Sequence, residues 1–288
     1  MNKEYTLGLY EKSMPDDITW EEKLLTAKEA GYDWVEISID ASEEKIRRVY
    51  MPKEERLELV SLMYETGVPI RTMCVSALTK YAIGSHNPET VSRGMEILEK
   101  SIELADDLGV RIVMIPGYDV YFEESDLETK KLFLENVTKA ARLAEKYGVI
   151  LGFETMENDF MNTVEKAMKY VTLVGSPYLK IYPDSGNLTN AAVNYKHDVI
   201  EDLELGRGHV MALHMKETMP GKFREIPYGT GHVNFQAMAE KAWDMGVRKY
   251  VTEFWYTGNP DWKEDLHFAH DMFEGILDKV SEKYQKSR

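Results

Sequence analysis

The sequence contains a single cysteine, Cys74, among 288 residues. One cysteine excludes an internal disulfide and a zinc site built from several cysteines. This usage is typical of a reducing compartment, and we therefore predict a cytoplasmic protein.

Long apolar runs are also missing. No segment approaches the roughly 20 consecutive apolar residues that cross a membrane. The apolar stretch near the N-terminus is too short for the hydrophobic region of a signal peptide. The sequence therefore predicts a soluble protein with no membrane partner.

Positive charge is scarce. The chain has 35 Lys and Arg residues against 50 Asp and Glu residues, which gives a formal net charge of -15 and a pI near 5.0. This balance disfavours a protein that holds nucleic acid by neutralising its phosphates. A small anionic substrate is compatible with it if a few Lys or Arg residues lie locally at the site.

No glycine-rich G-x-G-x-x-G loop follows the first apolar run, which argues against a dinucleotide-binding open sheet. Instead, eight short apolar runs alternate with helical segments, a pattern that predicts a parallel sheet. Eight such units in 288 residues match the size of a TIM barrel. We predict a single (β/α)8 TIM-barrel domain over residues 1–288, with strands at residues 5–10, 33–39, 69–75, 111–115, 149–155, 178–182, 210–215 and 250–255.

The segments between these strands have the apolar spacing of amphipathic helices. Helices are predicted at residues 20–30, 54–66, 88–108 and 128–147, among others. In the third of these, the predicted buried stripe is Val91, Met95, Leu98, Ile102 and Ala105. Six of the helical segments end in a glycine, as helix C-termini often do.

Four consecutive strands, the fifth to the eighth, end in Glu154, Asp184, His214 and Glu253, separated by 30, 30 and 39 residues. Each gap is one βα unit, and one unit along the chain is one step around a barrel, so the four side chains are predicted to converge. Three carboxylates and an imidazole suit one divalent ion, Zn²⁺, Mn²⁺, Co²⁺ or Mg²⁺. The ion would also relieve the repulsion between the carboxylates.

Each of these residues has a simpler interpretation. His214 could be a core histidine bonded to backbone, Asp184 a turn residue, and Glu154 or Glu253 half of an ion pair. Four such coincidences at matching strand ends are less plausible than one shared site. The other histidines, among them His86 in a Ser-His-Asn-Pro turn, are assigned no chemistry.

Glu154 and Glu253 flank the set, and this position indicates proton transfer. A metal that chelates a carbonyl and the neighbouring hydroxyl makes the adjacent C–H more acidic and stabilises an enediolate. One glutamate would remove the proton and the other would return it. Return to the same carbon gives epimerisation, whereas return to the neighbouring carbon gives aldose–ketose isomerisation.

Motifs over nearly the whole chain resemble the xylose-isomerase-like barrels of sugar epimerases and isomerases. The resemblance implies the barrel fold and an isomerase. It implies four metal ligands, Glu154, Asp184, His214 and Glu253, with Glu154 and Glu253 as the acid/base pair. The motifs are GLYEKSMP, GYDWVEISID, TMCVSA, IPGYDVYFEE, FETMENDFMN, YPDSGNL, LHMKETMPGKFREIPYGTGHVNF and VTEFW.

Within that family the chain is most similar to the branch that acts on ketopentose 5-phosphates in L-ascorbate utilisation. This similarity implies 3-epimerisation of L-xylulose 5-phosphate to L-ribulose 5-phosphate, and a homodimer. Related ketohexose epimerases have a histidine where this chain has Asn187, which favours the pentulose-phosphate branch and a substrate contact for Asn187. Leu78 replaces a histidine that the branch has after the third strand, which leaves the details of substrate binding open.

A phosphorylated substrate needs cationic or backbone donors. By the same resemblance, Lys216 and Arg224 lie on basic positions of the family and are predicted to bind the substrate. Glu36 and Tyr10, near the ends of the second and first strands, would touch the sugar or pair with those cations.

Other functions are compatible with the same residues. An aldose–ketose isomerase or a dehydratase of inositol-like ketones could use this metal site. A non-catalytic sugar-phosphate-binding protein could keep the ligands without the chemistry. A nucleic-acid enzyme on the same barrel would need a histidine-rich site and a basic groove, which this composition does not offer.

Overall fold

The computed structural model describes residues 3–286 and contains all eight predicted strands. Their ends differ from the predicted ones by up to three residues. The strand pairs described below are all parallel. The strands are β1 (Thr6–Tyr10), β2 (Trp34–Ser38), β3 (Ile70–Cys74), β4 (Ile112–Pro116), β5 (Ile150–Glu154), β6 (Leu179–Ile181), β7 (Leu213–Met215) and β8 (Lys249–Thr252).

The described residues form ten α-helices, and short 3₁₀ turns follow β1, α2 and β3. None of these helices is both long enough and apolar enough to cross a membrane. The helices are α1 (Trp20–Glu29), α2 (Glu43–Arg47), α3 (Lys53–Thr66), α4 (Pro88–Leu108), α5 (Leu127–Tyr147), α6 (Val164–Val174), α7 (Ser185–Tyr195), α8 (Val199–Glu204), α9 (Phe235–Asp244) and α10 (Trp262–Lys286).

Local sequence explains where the predicted helices begin and end. Thr19 and Glu22 form a capping box at the start of α1, in which each side chain accepts a hydrogen bond from the other residue's backbone N–H. Asp126 accepts the N–H groups of Glu128 and Thr129 at the start of α5. Gly148 closes α5 with a φ of 68°, in the left-handed region that favours glycine.

The chain divides into two compact units, and the prediction of a single domain stays a prediction. The first unit comprises Met1–Glu36, Leu62–Pro69 and Tyr182–Arg288. In it, β7 pairs with β8, β8 with β1, and β1 with the start of β2. The C-terminal ends of parallel strands lie at one edge of a sheet, and all these strands end at the edge that bears the predicted site.

The second unit comprises Ile37–Ser61 and Ile70–Ile181, and in it β3, β4, β5 and β6 pair in sequence. Leu98, Ile102 and Ala105 of α4 are buried as predicted, whereas Val91 and Met95 are only half-buried. The rings of Phe133, Phe153, Phe160 and Tyr170 form an aromatic cluster that packs α5 and α6 on β5.

His86 connects two acids near the start of α5. Its Nδ1 lies 3.2 Å from Glu123 Oε2, and its Nε2 lies 3.1 Å from Asp126 Oδ2. The hydrogen bond to Glu123, with a further effect of Asp126, raises the pKa of His86 above its usual value. His86 therefore has a structural role that its turn sequence did not reveal.

This arrangement predicts a pH-dependent stability effect. A histidine whose pKa is raised by folding contributes stability that is fully present below the pKa of the unfolded chain and is lost as pH rises through the folded pKa. We expect His86→Ala to lower Tm by about 1 °C near pH 5.5 and by less near pH 8.5. Differential scanning calorimetry at both pH values measures this effect. The matched control is His267→Ala, at an exposed position of α10, and equal losses of Tm at both pH values for His86→Ala would contradict the assignment.

Candidate metal centre

Three of the four predicted metal ligands meet in the first unit. Asp184 follows β6 and caps α7, His214 lies in β7, and Glu253 follows β8. They are 0%, 0% and 6% exposed. Each offers a ligand atom within 4.8 Å of those of the other two. Two carboxylates and one imidazole, all buried, form a donor set that could hold a divalent cation.

Asp184 is held in position through its backbone and through its side chain. It forms a parallel bridge with His214, and the N–H of His214 donates to the carbonyl oxygen of Pro183 at 2.9 Å. Its side chain also caps α7, because Asp184 Oδ1 accepts the N–H of Asn187 at 2.6 Å. The turn-former interpretation of Asp184 was therefore partly right, since the residue is a helix cap and a neighbour of His214 at the same time.

His214 is held by a carboxylate on each side of its ring. Nε2 lies 2.7 Å from Glu36 Oε1, and Nδ1 lies 2.9 Å from Glu253 Oε2. Glu36 is fully buried, and its other oxygen accepts the hydroxyl hydrogen of Tyr182 at 3.0 Å. A carboxylate only accepts hydrogen bonds, so Glu36 keeps a hydrogen on Nε2, and Nδ1, which faces Glu253, is the nitrogen that could bind a metal after losing its proton. Metal-binding histidines commonly have such a partner.

Lys216 lies against the same acids. Its Nζ is 3.1 Å from Asp184 Oδ1 and 3.9 Å from Glu253 Oε2, and the residue is 5% exposed. Burial raises the pKa of Glu253, but the positive charges of Lys216 and His214 outweigh it and hold that pKa well below its usual range. Glu253 is therefore a carboxylate at neutral pH, as a ligand or a base must be.

Three more residues that were predicted to contact the substrate, Tyr10, Arg224 and Asn187, also belong to the first unit. Tyr10 is 3% exposed, with its ring centroid 6.3 Å from that of His214 and 6.4 Å from that of Trp255. The guanidinium of Arg224 lies 5.5 Å from the Trp255 ring centroid, at cation–π distance. Asn187 is 2% exposed in the first turn of α7.

A cavity of about 170 Å³ opens beside Lys216 and Glu253. Its lining includes Tyr228 and Trp255, together with the charged residue Glu225. The cavity gives a small polar molecule access to Glu253 from solvent.

The loop after β7 is folded around Glu217, a residue that the sequence analysis did not single out. Glu217 is 3% exposed, and its carboxylate accepts the backbone N–H groups of Thr218, Gly229 and Val233 at 3.1, 3.1 and 3.2 Å. A Cβ at Gly231 would lie 2.2 Å from Glu217 Oε1, so only glycine fits there. The only trace of this loop in the sequence is the Gly229-Thr230-Gly231 segment after the seventh strand, which indicates a tightly folded backbone.

Glu154 ends β5 in the second unit and is 5% exposed. It is buried at the strand end, where the sequence analysis predicted it.

The fold and the strand-end donors define a class of protein. Residues 24–272 match the model of the xylose isomerase-like TIM barrel family, and the chain belongs to this family. The predicted (β/α)8 fold class is confirmed. Relatives named L-ribulose-5-phosphate 3-epimerase UlaE are 35% identical in Escherichia coli O139:H28 and 36% identical in Shigella sonnei, in each case over 281 residues that cover 97% of this chain and 98% of the relative.

Solved structures of sugar epimerases have the same fold. The structure of an L-ribulose 3-epimerase has a TM-score of 0.79 at 18% identity and covers 98% of both chains. That of D-psicose 3-epimerase from Clostridium cellulolyticum H10 has a TM-score of 0.78 at 16% identity and covers 94% of this chain and 99% of the other. Together with the relatives, they confirm the predicted resemblance and the prediction of an isomerase-class enzyme.

Proposed function

We propose that this protein is a metal-dependent 3-epimerase that converts L-xylulose 5-phosphate to L-ribulose 5-phosphate. The observation that carries the proposal is the buried set of Asp184, His214 and Glu253 at strand ends. The identity to L-ribulose-5-phosphate 3-epimerases over 97% of the chain supports the substrate. A role in L-ascorbate utilisation belongs to the same proposal.

Glu154 is proposed as the fourth ligand. In the pairing of β5 with β6, Phe153 lies opposite Ile181. Glu154 is the next residue along β5, and Asp184 comes three residues after Ile181. Consecutive strands of a barrel carry their catalytic residues at the same end, so the order of these residues along the chain supports the proposal. Zn²⁺, Mn²⁺, Co²⁺ and Mg²⁺ all suit four ligands of these types.

When bound, a divalent ion supplies a Lewis acid that makes the C–H beside the ketone more acidic. Glu253, kept ionised by Lys216 and His214, accepts or returns the C3 proton on one face of the sugar. Glu154 does the same on the opposite face. The ammonium of Lys216 stabilises negative charge that develops on the substrate oxygens.

The substrate is proposed to extend from the acids towards the loop after β7. Arg224, exposed and stacked on Trp255, is proposed to bind the phosphate. Tyr10 and Asn187 are proposed to contact the sugar, and so is Lys216. The contacts of Glu36 with His214 and Tyr182 support a positioning role for this glutamate in place of the sugar contact.

The role of Glu36 predicts an effect on metal affinity. Glu36→Gln is expected to weaken binding of the divalent ion about tenfold, because the amide holds the Nε2 hydrogen of His214 less strongly and no longer adds negative charge. Competition with a chromophoric chelator measures the affinity. Glu201→Gln, at an exposed position of α8, is the matched control. If Glu36→Gln binds the ion as tightly as the unmodified protein, Glu36 does not position His214 for metal binding.

A homodimer is proposed as the assembly. Tyr121 and Phe122, after β4, are 44% and 76% exposed, and their ring centroids are 4.9 Å apart. Large exposed aromatic side chains are enriched at subunit contacts. Light scattering coupled to gel filtration is expected to give the mass of a dimer, and the mass of a monomer would contradict it.

The decisive experiment is NMR detection of solvent deuterium at C3 of L-xylulose 5-phosphate and L-ribulose 5-phosphate. We expect exchange and interconversion with the metal-loaded protein, and loss of both with EDTA. Deuterium at C1 or C2 together with an aldose product would identify an aldose–ketose isomerase on the same site. Binding of the sugar phosphate without any exchange would identify a non-catalytic binding protein.

A further inference from the structure

A second cavity lies in the other unit, between the start of α5, the loop after β5, and α6. It has a volume of about 460 Å³ and opens to solvent. Its lining is basic although the protein carries a net charge of -15. The polar side chains that could contact a ligand in this cavity are Lys130, Lys166, Lys169, Tyr170, Asn158 and Asp159.

Three lysines line this cavity, of which Lys130 and Lys166 are half-buried and Lys169 is exposed, against one acidic residue. Within residues 3–286, neither Lys130 nor Lys169 has a carboxylate within 4.0 Å, so neither charge is neutralised by an ion pair with the protein. Lys166 is held in place, because its Nζ donates to the carbonyl oxygen of Asp159 and to Asn162 Oδ1, both at 2.7 Å. Like charges that converge on a cavity repel each other, and an anion relieves the repulsion.

Tyr170 adds a neutral donor. The residue is 7% exposed, and its ring is fixed by Phe133 and Phe160, at centroid distances of 5.4 and 5.1 Å. Its hydroxyl has no hydrogen-bond partner among the described residues. Burial, with a smaller effect of the charge of Asp119, raises the pKa of Tyr170 to about 12, so the hydroxyl keeps its hydrogen. The hydroxyl lies at the cavity and is free to donate a hydrogen bond to a ligand or to water.

We propose that this cavity binds a small phosphate monoester. The dianionic phosphate would accept hydrogen bonds from Lys130, Lys169 and the hydroxyl of Tyr170. Charge-assisted bonds of this kind are the strongest that a phosphate makes with a protein. Asn158 and Asp159 offer an amide and a carboxylate to hydroxyl groups on the rest of the ligand. None of the proposed metal ligands lines this cavity, and the proposal does not rest on the epimerase activity.

Inorganic phosphate is the probe, and the ring resonance of Tyr170 in ¹³C-tyrosine-labelled protein is the readout, because it reports on this cavity alone. Tyr170→Phe assigns the resonance. We expect the resonance to shift and saturate with phosphate, and not with sodium chloride at equal ionic strength. The double variant Lys130→Gln/Lys169→Gln should weaken the apparent affinity about tenfold or more.

The matched control is Lys131→Gln/Lys279→Gln, which removes the same charge at exposed positions outside the cavity. It should titrate like the unmodified protein, and the other tyrosine resonances should show that both double variants are folded. The proposal is overturned if the Tyr170 resonance does not move, if chloride moves it equally, or if the Lys130→Gln/Lys169→Gln protein titrates like the control.

Discussion

Replacement of either proposed proton-transfer residue, Glu154→Gln or Glu253→Gln, is expected to lower kcat for C3 epimerisation by about 10³-fold. An amide keeps the shape of the carboxylate but cannot accept the C3 proton. Each variant should also separate removal of the C3 proton from its return on the opposite face. One glutamate serves each face of the sugar, so a single variant should still exchange the C3 hydrogen of one epimer with solvent while failing to form the other.

Both glutamates are also proposed ligands, so a loss of metal has to be separated from a loss of the base. Asp184→Asn is the comparison, because it weakens the metal site without removing a proton-transfer group. Saturating metal should restore much of its activity, but should not restore Glu253→Gln. Glu264→Gln, at an exposed position of α10, is the control for the loss of one negative charge. Full activity in either Glu154→Gln or Glu253→Gln would remove the two-base mechanism.

Glu217→Ala is expected to lower the free energy of unfolding by about 3 kcal/mol. The change removes one buried carboxylate that accepts three backbone N–H groups, from Thr218, Gly229 and Val233. The loss of stability is smaller than three buried hydrogen bonds would give, because Gly229 is exposed and water can accept its N–H in place of the carboxylate. Urea unfolding monitored by circular dichroism measures the change.

The same substitution should affect catalysis, because Glu217 follows Lys216 directly and holds the loop that begins there. We expect kcat to fall about tenfold at a temperature where Glu217→Ala is fully folded. Glu217→Gln, which keeps one acceptor oxygen, should lie between it and the unmodified protein. Glu225→Ala, in the same loop and exposed, is the matched control for stability. If Glu217→Ala and Glu225→Ala unfold at the same urea concentration, the buried carboxylate does not organise the loop.

The contrast between Glu217 and the metal ligands shows why some site residues were predictable. Asp184, His214 and Glu253 come at the ends of apolar runs, one βα unit apart, so strand periodicity and spacing alone pointed to them. Glu217 comes two residues after the end of a strand, in a polar segment, and resembles any solvated acid. Its partners are 1, 12 and 16 residues away, and only the folded loop turns their N–H groups towards it.

Glu36 illustrates the same limit over a longer distance. Its place at the end of β2 was visible, and a contact with the sugar or with a cation was the natural interpretation. In the structure it lies 2.7 Å from His214, a residue 178 positions away. Lys216, predicted to bind the substrate, also lies against Asp184 and Glu253. Neither contact has a signature in local sequence.

The sequence by itself determined the eight strands, their order and parallel direction, the helix caps, and the strand ends that bear the acids and the imidazole. Those features follow from periodicity, capping and spacing, which act over a few residues or one βα unit. Only the tertiary structure decided which carboxylate orients His214, which cation keeps Glu253 ionised, and which acid organises the loop after β7. Hydrogen bonds and charge interactions depend on distances of a few ångströms between residues far apart in the chain, and packing alone sets those distances.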